Sequence, residues 1–465
     1  MTDATPKLLT LAIALMAAGC AGLQPKLPAA DAGIPAQLPV AAAGTATADG
    51  DTDVADIGWR AFFRDPVLQD LIAQALEHNR DLRVAVLNVE RARAQYRIQR
   101  ADRLPSVDAS AQMRRGGGDA LPVSENYSAG FGLAAFELDL FGRVRNLSEA
   151  GRQRYFAQVE NRQAAQISLV AEVATAYLGL NANRELQQLA EQTVRSREQA
   201  LALDRKRHQA GAISALELSQ AETQLESARA EAARIAGSAA QAGNALDLLV
   251  GKPVSAGLTA VALDDAATGL LPLPAELPSS VLLRRPDIRA AENTLRAANA
   301  DIGAARAAFF PSITLTGAAE TASPALSGLF DAGTRSWSFV PKLNLPIFQG
   351  GRLLANLSLS KADRDIALAG YERAIQAGFR DVSDALALTG TLARQRQAQE
   401  ALVAAAERAD NLAAARYRNG RDSYLVRLDA ERTLFAARQG LVAVRLAEQG
   451  NRISLYRVLG GGWKE

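Results

Sequence analysis

Two long tracts of the chain repeat apolar residues at the spacing of a helix. No proline occurs between Val123 and Lys252 or after Pro346, and a proline inside a helix costs about 3 kcal/mol. Within the first tract, apolar residues from Ile167 to Leu178 recur every three or four positions. A helix from about Gly142 to His208 would be roughly 100 Å long at 1.5 Å per residue. The pattern predicts long helices packed in a coiled coil or a helical tube.

Each tract contains one predicted turn. Gly211 and Gly420 stand where a helix would end in the left-handed conformation that glycine adopts easily. Ser214 and Ser423 follow three residues later, where each would cap the next helix. Each tract is therefore predicted to be a helical hairpin.

Four shorter segments alternate apolar and polar residues, which predicts strands with one apolar face. They lie near residues 105–115, 127–140, 311–320 and 336–348, with loops at 114–126 and 320–335. In the last segment the apolar face comprises Trp337, Phe339, Leu343 and Leu345. Alternation alone fits a soluble sandwich as well as a transmembrane barrel, and an exported chain with such long helices favours the barrel. Four strands cannot close a barrel, so copies must share strands, and three copies would supply twelve.

The two halves of the chain are related by a tandem duplication. A shift of 206 residues carries Asp81 onto Asp287, and a shift of 209 carries Gly211 onto Gly420. Further identities hold these registers over long stretches. We therefore expect two structural repeats, at residues 57–260 and 261–465, and a fold that is mixed α+β but mainly α.

The N-terminus has the pattern of an export signal. Lys7 precedes an apolar run, and small residues lead to Cys20, which predicts a signal peptide at residues 1–19. The ending resembles a bacterial lipobox with Ala17 in place of the usual leucine, so Cys20 is the predicted lipidation site. The alternative is an ordinary signal peptide with an incidental Cys20. Residues 20–56 lack a helical or alternating pattern and are expected to form an extended tether.

Composition and charge exclude several classes of protein. The 52 Lys and Arg nearly balance the 50 Asp and Glu, which argues against nucleic acid as a partner. One Cys and two His leave no basis for a thiolate or histidine metal site, so no metal or cofactor is expected. The sequence Gly251-Lys252-Pro253 fails the phosphate-loop pattern. No catalytic constellation appears, and we expect the protein not to be an enzyme.

Several segments together resemble the TolC-like outer-membrane efflux family, in particular its NodT- and OprM-type lipoprotein branch. They are residues 65–85, 282–292, 304–317 and 345–357, together with the two glycine turns. The resemblance implies a homotrimer with a twelve-stranded barrel in outer-membrane lipid and a helical tunnel through the periplasm. It also implies two partners, a periplasmic adaptor protein and an inner-membrane RND-type pump.

The resemblance further implies a constriction at the periplasmic end of the second hairpin. Tyr417 falls on the family's latch tyrosine, and Asp429 falls on one ring of acids. A second family acid falls on Val426, and Asp422, beside Arg421, occupies the latch arginine position. The alternative for Asp429 is the solvated face of a polar helix. The hairpin tips would contact the adaptor through Arg207, Gly211, Ser214, Arg416, Gly420 and Ser423.

These features predict an outer-membrane channel through which drugs or other small solutes leave the cell, driven by a partner pump. Two alternatives remain at this point. One is a TolC-like channel for type I protein secretion. The other is a lipid-tethered periplasmic coiled-coil scaffold that never inserts into the membrane.

Overall fold

A computed structural model describes residues 23–38, 54–258, 263, 270–271 and 278–464. The predicted signal peptide, Ala17 and Cys20 lie outside these residues, as does the tether from residue 39 to 53. Within the described part of the chain, no helix is both long enough and apolar enough to cross a membrane.

Three helices of the first half recur in the same order in the second, with 22, 67 and 36 residues in the first half and 22, 67 and 35 in the second. Those of the first half are α1 (Trp59–Phe62), α2 (Pro66–His78), α3 (Arg80–Ala101), α4 (Arg143–Gln209) and α5 (Ala215–Val250). Those of the second half are α6 (Pro286–Ala307), α7 (Arg352–Arg418) and α8 (Tyr424–Val458). Helices α4 and α7 each have 67 residues, so the prediction of a helix from about Gly142 to His208 is confirmed within a residue at each end.

Both hairpins turn at the predicted glycines. Gly211 has φ +71° and Gly420 has φ +67°, the left-handed region in which a side chain is strained. Ser214 forms a full capping box with Glu217 at the start of α5. Ser423 also occupies the N-cap position of α8, but its side chain accepts no hydrogen bond from the helix. The expected cap is therefore made in the first hairpin and not in the second.

Four antiparallel strands form one sheet in the order of the sequence. They are β1 (Val107–Gly118), β2 (Leu121–Leu138), β3 (Ser312–Ser323) and β4 (Arg335–Asn344). The predicted loop at 114–126 is wrong, because Arg114 pairs with Asn126 and the ladder continues to a two-residue turn. Backbone pairing does not need apolar side chains, and it therefore extends beyond the alternating segment. Strand β4 ends before Leu345, which the sequence had placed on the strand.

A bulge interrupts β2 and changes which of its residues face each side. Leu133 pairs with Gly317, whereas Phe136 pairs with Leu315, so β2 holds one extra residue there. Ala135 within this bulge has φ +32°. Before the bulge the odd-numbered residues share one face with Gly317, and after it the even-numbered residues do.

The chain divides into two compact units, and each unit draws on both halves of the sequence. The first comprises Met1–Asp31, Leu87–Val159 and Arg289–Arg373 and contains the sheet. The second comprises Ala32–Val86, Glu160–Ile288 and Ala374–Glu465 and contains both hairpin turns. The compact units therefore do not follow the two repeats along the sequence.

Aromatic side chains form a packed core in the second unit. The Phe62 ring stacks on Tyr456 with centroids 3.9 Å apart, and the Tyr456 hydroxyl donates to the Ile57 carbonyl at 2.7 Å. The Tyr177 hydroxyl donates to Asp65 Oδ2 at 2.9 Å. Asp65 also caps α2 through the Val67 amide. These contacts join residues near both ends of the described chain.

The described part of the predicted tether contains no helix or strand and is hydrogen-bonded to the rest of the chain. In the first unit, Arg306 Nη1 donates to the Leu23 carbonyl at 3.1 Å and Asn299 Nδ2 donates to the Pro25 carbonyl at 2.8 Å. In the second unit, Ser279 Oγ donates to the Pro35 carbonyl at 2.8 Å. Residues 23–38 are therefore held by hydrogen bonds to their backbone carbonyls, and the Asp31 amide adds one by donating to Glu372 Oε1 at 3.0 Å.

Candidate functional site

The hairpin ends of the second unit contain a small buried cluster, which we call the hairpin cluster. Its members come from α4, α5, α7 and α8 and are Leu201, Ala221, Leu225, Tyr417, Tyr424 and Leu428. Helical spacing places Leu201 and Leu225 on the inner faces of the first hairpin, and Tyr417 and Leu428 on those of the second. The cluster therefore joins the two hairpins close to their turns.

A hydrogen bond crosses from one hairpin to the other inside this cluster. The Tyr417 side chain is only 6% exposed, and its hydroxyl donates to Asp204 Oδ1 at 2.8 Å. Burial of the phenol, together with this bond to a carboxylate, raises the pKa of Tyr417 to about 12. The Tyr417 hydroxyl therefore remains a proton donor across the physiological pH range.

Asp204 carries a carboxylate into an almost fully enclosed position. Its side chain is 2% exposed, and Arg207 Nη1 lies 4.0 Å from Oδ1. The Arg207 guanidinium also lies 4.9 Å from the centre of the Tyr417 ring, and that of Arg427 lies 5.4 Å from it. A buried carboxylate is tolerated only when it is paired and hydrogen-bonded. Tyr417 and Arg207 supply these interactions.

The turn of the second hairpin is held by its own ion pair. Arg416 Nε and Nη2 donate to the two Asp422 oxygens at 2.6 and 2.8 Å. The hydrogen bond from Arg416 holds the pKa of the Asp422 carboxyl below its usual range. Arg421 and Asp429 are both exposed. Of the four predicted constriction residues, the structure thus buries Tyr417, pairs Asp422 locally and leaves Arg421 and Asp429 open to solvent.

The predicted tip residues also differ in what they contact. Arg207 turns inward towards Tyr417, and its Nη2 donates to the Arg418 carbonyl at 3.4 Å. Ser214 is engaged in the capping box, and Arg416 is engaged with Asp422. Leu216, two residues after Ser214, and its duplicate Leu425 are exposed apolar side chains.

Sequence reasoning missed Asp204 and Arg427. Asp204 lies 213 residues from Tyr417 in the chain, so no local motif connects them. One signal was available: Leu201, Asp204 and Arg207 recur at three-residue steps on one face of α4. An acidic side chain at such a position, between a buried leucine and a basic residue, is a candidate for a buried carboxylate that is paired with another side chain.

The sheet of the first unit separates apolar from polar side chains between its two faces. Pairing places Ala109, Phe131, Ala319 and Trp337 in one row across all four strands. The next row joins Val107, Leu133, Gly317 and Phe339. Trp337 is 80% exposed, and Phe339, Leu343 and Leu345 are exposed as well. The opposite face carries polar side chains such as Asp108, Ser338 and Lys342, interrupted by Val340.

Among the described residues, no three or more His, Cys, Asp or Glu side chains are grouped so that they could hold a metal ion.

Comparison with known proteins gives consistent matches over nearly the whole chain. The profile of the family described as outer membrane efflux protein matches residues 71–252 and 277–461. The antibiotic efflux pump outer membrane protein ArpC of Pseudomonas putida is 45% identical over 99% of this chain and 96% of its own length. The probable outer membrane lipoprotein SilC of Salmonella typhimurium is 41% identical over 99% of each chain.

A solved structure has the same fold. The open state of the MtrE outer membrane channel of Neisseria gonorrhoeae superposes with a TM-score of 0.87 at 41% identity, covering 95% of this chain and 98% of that one.

Proposed function

The chain belongs to the outer membrane efflux protein family, and from that premise we propose which of its surfaces enters the bilayer, which closes the duct and which receives its partners. It is an outer-membrane channel of tripartite efflux systems, with its helical part in the periplasm. Members of this family are channels and not enzymes. The observation that carries the proposal is a sheet with adjacent apolar rows on one face, connected directly to two helices of 67 residues each.

The sheet closes by sharing its edges with other copies. Strands β1 and β4 are the edges of the four-stranded sheet. An open edge in hydrocarbon leaves backbone groups unpaired at several kcal/mol each. Three copies joined β1 to β4 supply twelve strands, and the apolar rows that include Trp337 and Phe339 then face lipid while the polar face lines the pore.

The hairpin cluster holds the closed state of the duct. Tyr417 and Asp204 connect the second hairpin to the first, so the hairpins cannot separate unless this bond breaks. Asp429, exposed one residue after buried Leu428, forms a ring of three carboxylates at the constriction. Arg421 and Asp422 belong to the same constriction in this proposal, Asp422 as the partner of Arg416 in the turn.

The tips receive a periplasmic adaptor, and an RND-type pump in the inner membrane supplies the free energy. The proposed contact positions are Arg207, Gly211 and Ser214 in one turn and Arg416, Gly420 and Ser423 in the other.

Cys20 is the proposed acylation site, and the name of the lipoprotein SilC supports it. The transported solutes are drugs or other small molecules, since ArpC belongs to an antibiotic efflux pump. Both relatives reported above are named as membrane components rather than secretion channels or scaffolds.

The purified full-length protein tests this function directly. We expect a detergent-dependent trimer that survives unheated SDS, dissociates on heating and conducts ions in planar bilayers. Cysteines introduced near Gly211 and Gly420 should cross-link to an adaptor, whereas cysteines on the polar strand face should not. A water-soluble monomer that conducts no ions would overturn the proposal.

A further inference from the structure

The apolar face of the sheet contains a groove near one end of the strands. It has a volume of about 450 Å³ and is lined by Ala109, Ala129, Phe131 and Ala319. These residues belong to two neighbouring rows of the apolar face. Alanine side chains in adjacent rows leave a depression beside the larger Phe131. The size is that of a small-molecule site.

The connection between β3 and β4 forms one wall of this groove. The Thr321 hydroxyl donates to the Leu329 carbonyl, and the Thr334 hydroxyl donates to the Asp331 carbonyl at 2.8 Å. Because Thr321 belongs to the apolar face, these bonds hold residues 324–334 against that face. Phe330 lines the groove and is 79% exposed.

A cation stands at the rim of the groove. Arg335 lines it and pairs across the sheet with Thr321. Within the described part of the chain, Arg335 has no acidic side chain within ion-pair distance. Arg115 lies on the same face farther along β1, but it is paired with Glu125 at 3.4 Å. The groove thus combines an apolar floor with one guanidinium that forms no ion pair among the described residues. Glu320 also lines the groove, but strand pairing places it on the polar face, and it makes no ion pair with Arg335.

The position of the groove along the strands indicates which leaflet it meets. The ends of the strands at Val107, Leu138, Ser312 and Asn344 are those that continue into helices, which is the periplasmic side of the channel. Arg335 is the first residue of β4 and therefore lies at the opposite, outer end. The Arg335 rim therefore meets the phosphates of the outer leaflet, and the apolar floor, which on β1 reaches Ala109 two residues from Val107, extends inward along the acyl chains.

We propose that this groove binds an acyl chain of a phosphorylated glycolipid of the outer leaflet, of the lipid A class, with Arg335 pairing the lipid phosphate. The inference rests on the proposed orientation of the sheet in the membrane. A guanidinium binds a phosphate through two parallel hydrogen bonds, which a neutral headgroup does not offer. Phe330 covers the bound chain from the side of the loop.

Delipidated trimers titrated with bisphosphorylated lipid A, with bound lipid counted by native mass spectrometry, test the site. We expect Arg335→Gln to weaken binding on the order of ten-fold, the loss of one charge-assisted contact. Ala319→Phe fills the groove and should abolish binding. Dephosphorylated lipid A should bind the wild type as weakly as lipid A binds R335Q.

Matched controls lie on the opposite face of the same strands. Arg114→Gln removes a charge near the outer end of β1, and Ala318→Phe adds the same ring on the polar face. Both should bind lipid A like the wild type. Equal binding by R335Q, equal loss in R114Q, or equal affinity for phosphatidylglycerol overturns the proposal.

Conductance separates this proposal from the function of the channel. Trimers that conduct ions but show no lipid A binding sensitive to Arg335 refute the glycolipid site alone. Protein that neither forms SDS-resistant trimers nor conducts ions refutes the proposed function first. If A319F fails to assemble, R335Q, whose side chain is exposed, still decides the question.

Discussion

At the scale of the residue, one buried hydroxyl connects the two hairpins. Tyr417 donates to Asp204, and Arg207 lies beside both. Forming such a bond contributes little net free energy, because water offers similar bonds to the separated groups. Removing one partner is costly, since the other is left buried and unsatisfied. The Tyr417–Asp204 bond, which we propose holds the duct closed, is therefore a site at which a small chemical change should have a large effect.

Tyr417→Phe should favour the open channel. The substitution keeps the ring but removes the donor to Asp204, which destabilises the closed arrangement by about 1–3 kcal/mol. We expect larger single-channel conductance and greater sensitivity of the cells to bulky antibiotics. Tyr155→Phe is the matched control, because the Tyr155 ring packs on Tyr96 at 6.5 Å and the described structure gives its hydroxyl no hydrogen bond. A conductance in Y417F equal to that of the wild type would show that the Tyr417–Asp204 bond does not hold the duct closed.

Alkaline pH should release the same bond. The pKa of Tyr417 is raised to about 12, above the ordinary tyrosine value of about 10. The contribution of the protonated hydroxyl to stability is fully present below pH about 10 and is lost as the pH rises from about 10 towards 12. Conductance measured across this range should increase in the wild type. In Y417F the increase should be absent, and an identical pH profile in both proteins would contradict the assignment.

The residues of this site were predictable only in part. Tyr417 was identified by resemblance, because its segment keeps the family pattern around Gly420. Asp204 was not, since the bond joins residues 213 positions apart, and only packing of the hairpins brings them together. The pairing of Asp422 with Arg416 likewise depends on how the turn folds back on itself.

At the scale of the element, the helices follow the sequence closely and the strands less so. Proline-free tracts and positive-φ glycines limit where a helix can run, so the ends of α4 agree with expectation. The register of the sheet matches the alternating residues of all four segments. The length of β2 was missed, because the polar residues around Glu125 pair through their backbones although they carry no apolar signal.

The two hairpins should respond differently to loss of the capping serine. Ser214→Ala removes a capping box and should destabilise the start of α5 by about 1 kcal/mol, roughly a five-fold change in local opening. Ser423→Ala removes no cap bond and should change little. The rate of limited proteolysis near Arg205 and Lys206 measures local opening of the first hairpin turn, and the rate of cleavage near Arg421 measures that of the second. Equal effects of the two substitutions would contradict the observed difference in capping.

At the scale of the whole molecule, the two faces of the sheet should differ sharply in their tolerance of charge. Phe339→Arg places a cation in hydrocarbon and should cost about 2–4 kcal/mol per protomer near the middle of the bilayer. Ser338→Arg places the same side chain on the pore face one residue away and should be tolerated. The yield of SDS-resistant trimer in outer membranes measures the difference. Equal yields would mean that the lipid-facing side has been assigned wrongly.

The extra residue in β2 determines which face of the sheet each later residue of the strand occupies. Because of the bulge at Ala135, Phe136 and Leu138 continue the apolar face, and Glu137 lies on the polar face where it binds Arg143. Deleting either alanine at the bulge would remove the extra residue, and ordinary alternation would then keep Phe136 and Leu138 on the apolar face and Glu137 on the polar face. A single codon missing between Tyr127 and Leu133 would instead shift the alternation by one residue, and it should be more damaging to membrane insertion than the same loss at the bulge or in the loop at 324–334, which has no alternation to preserve.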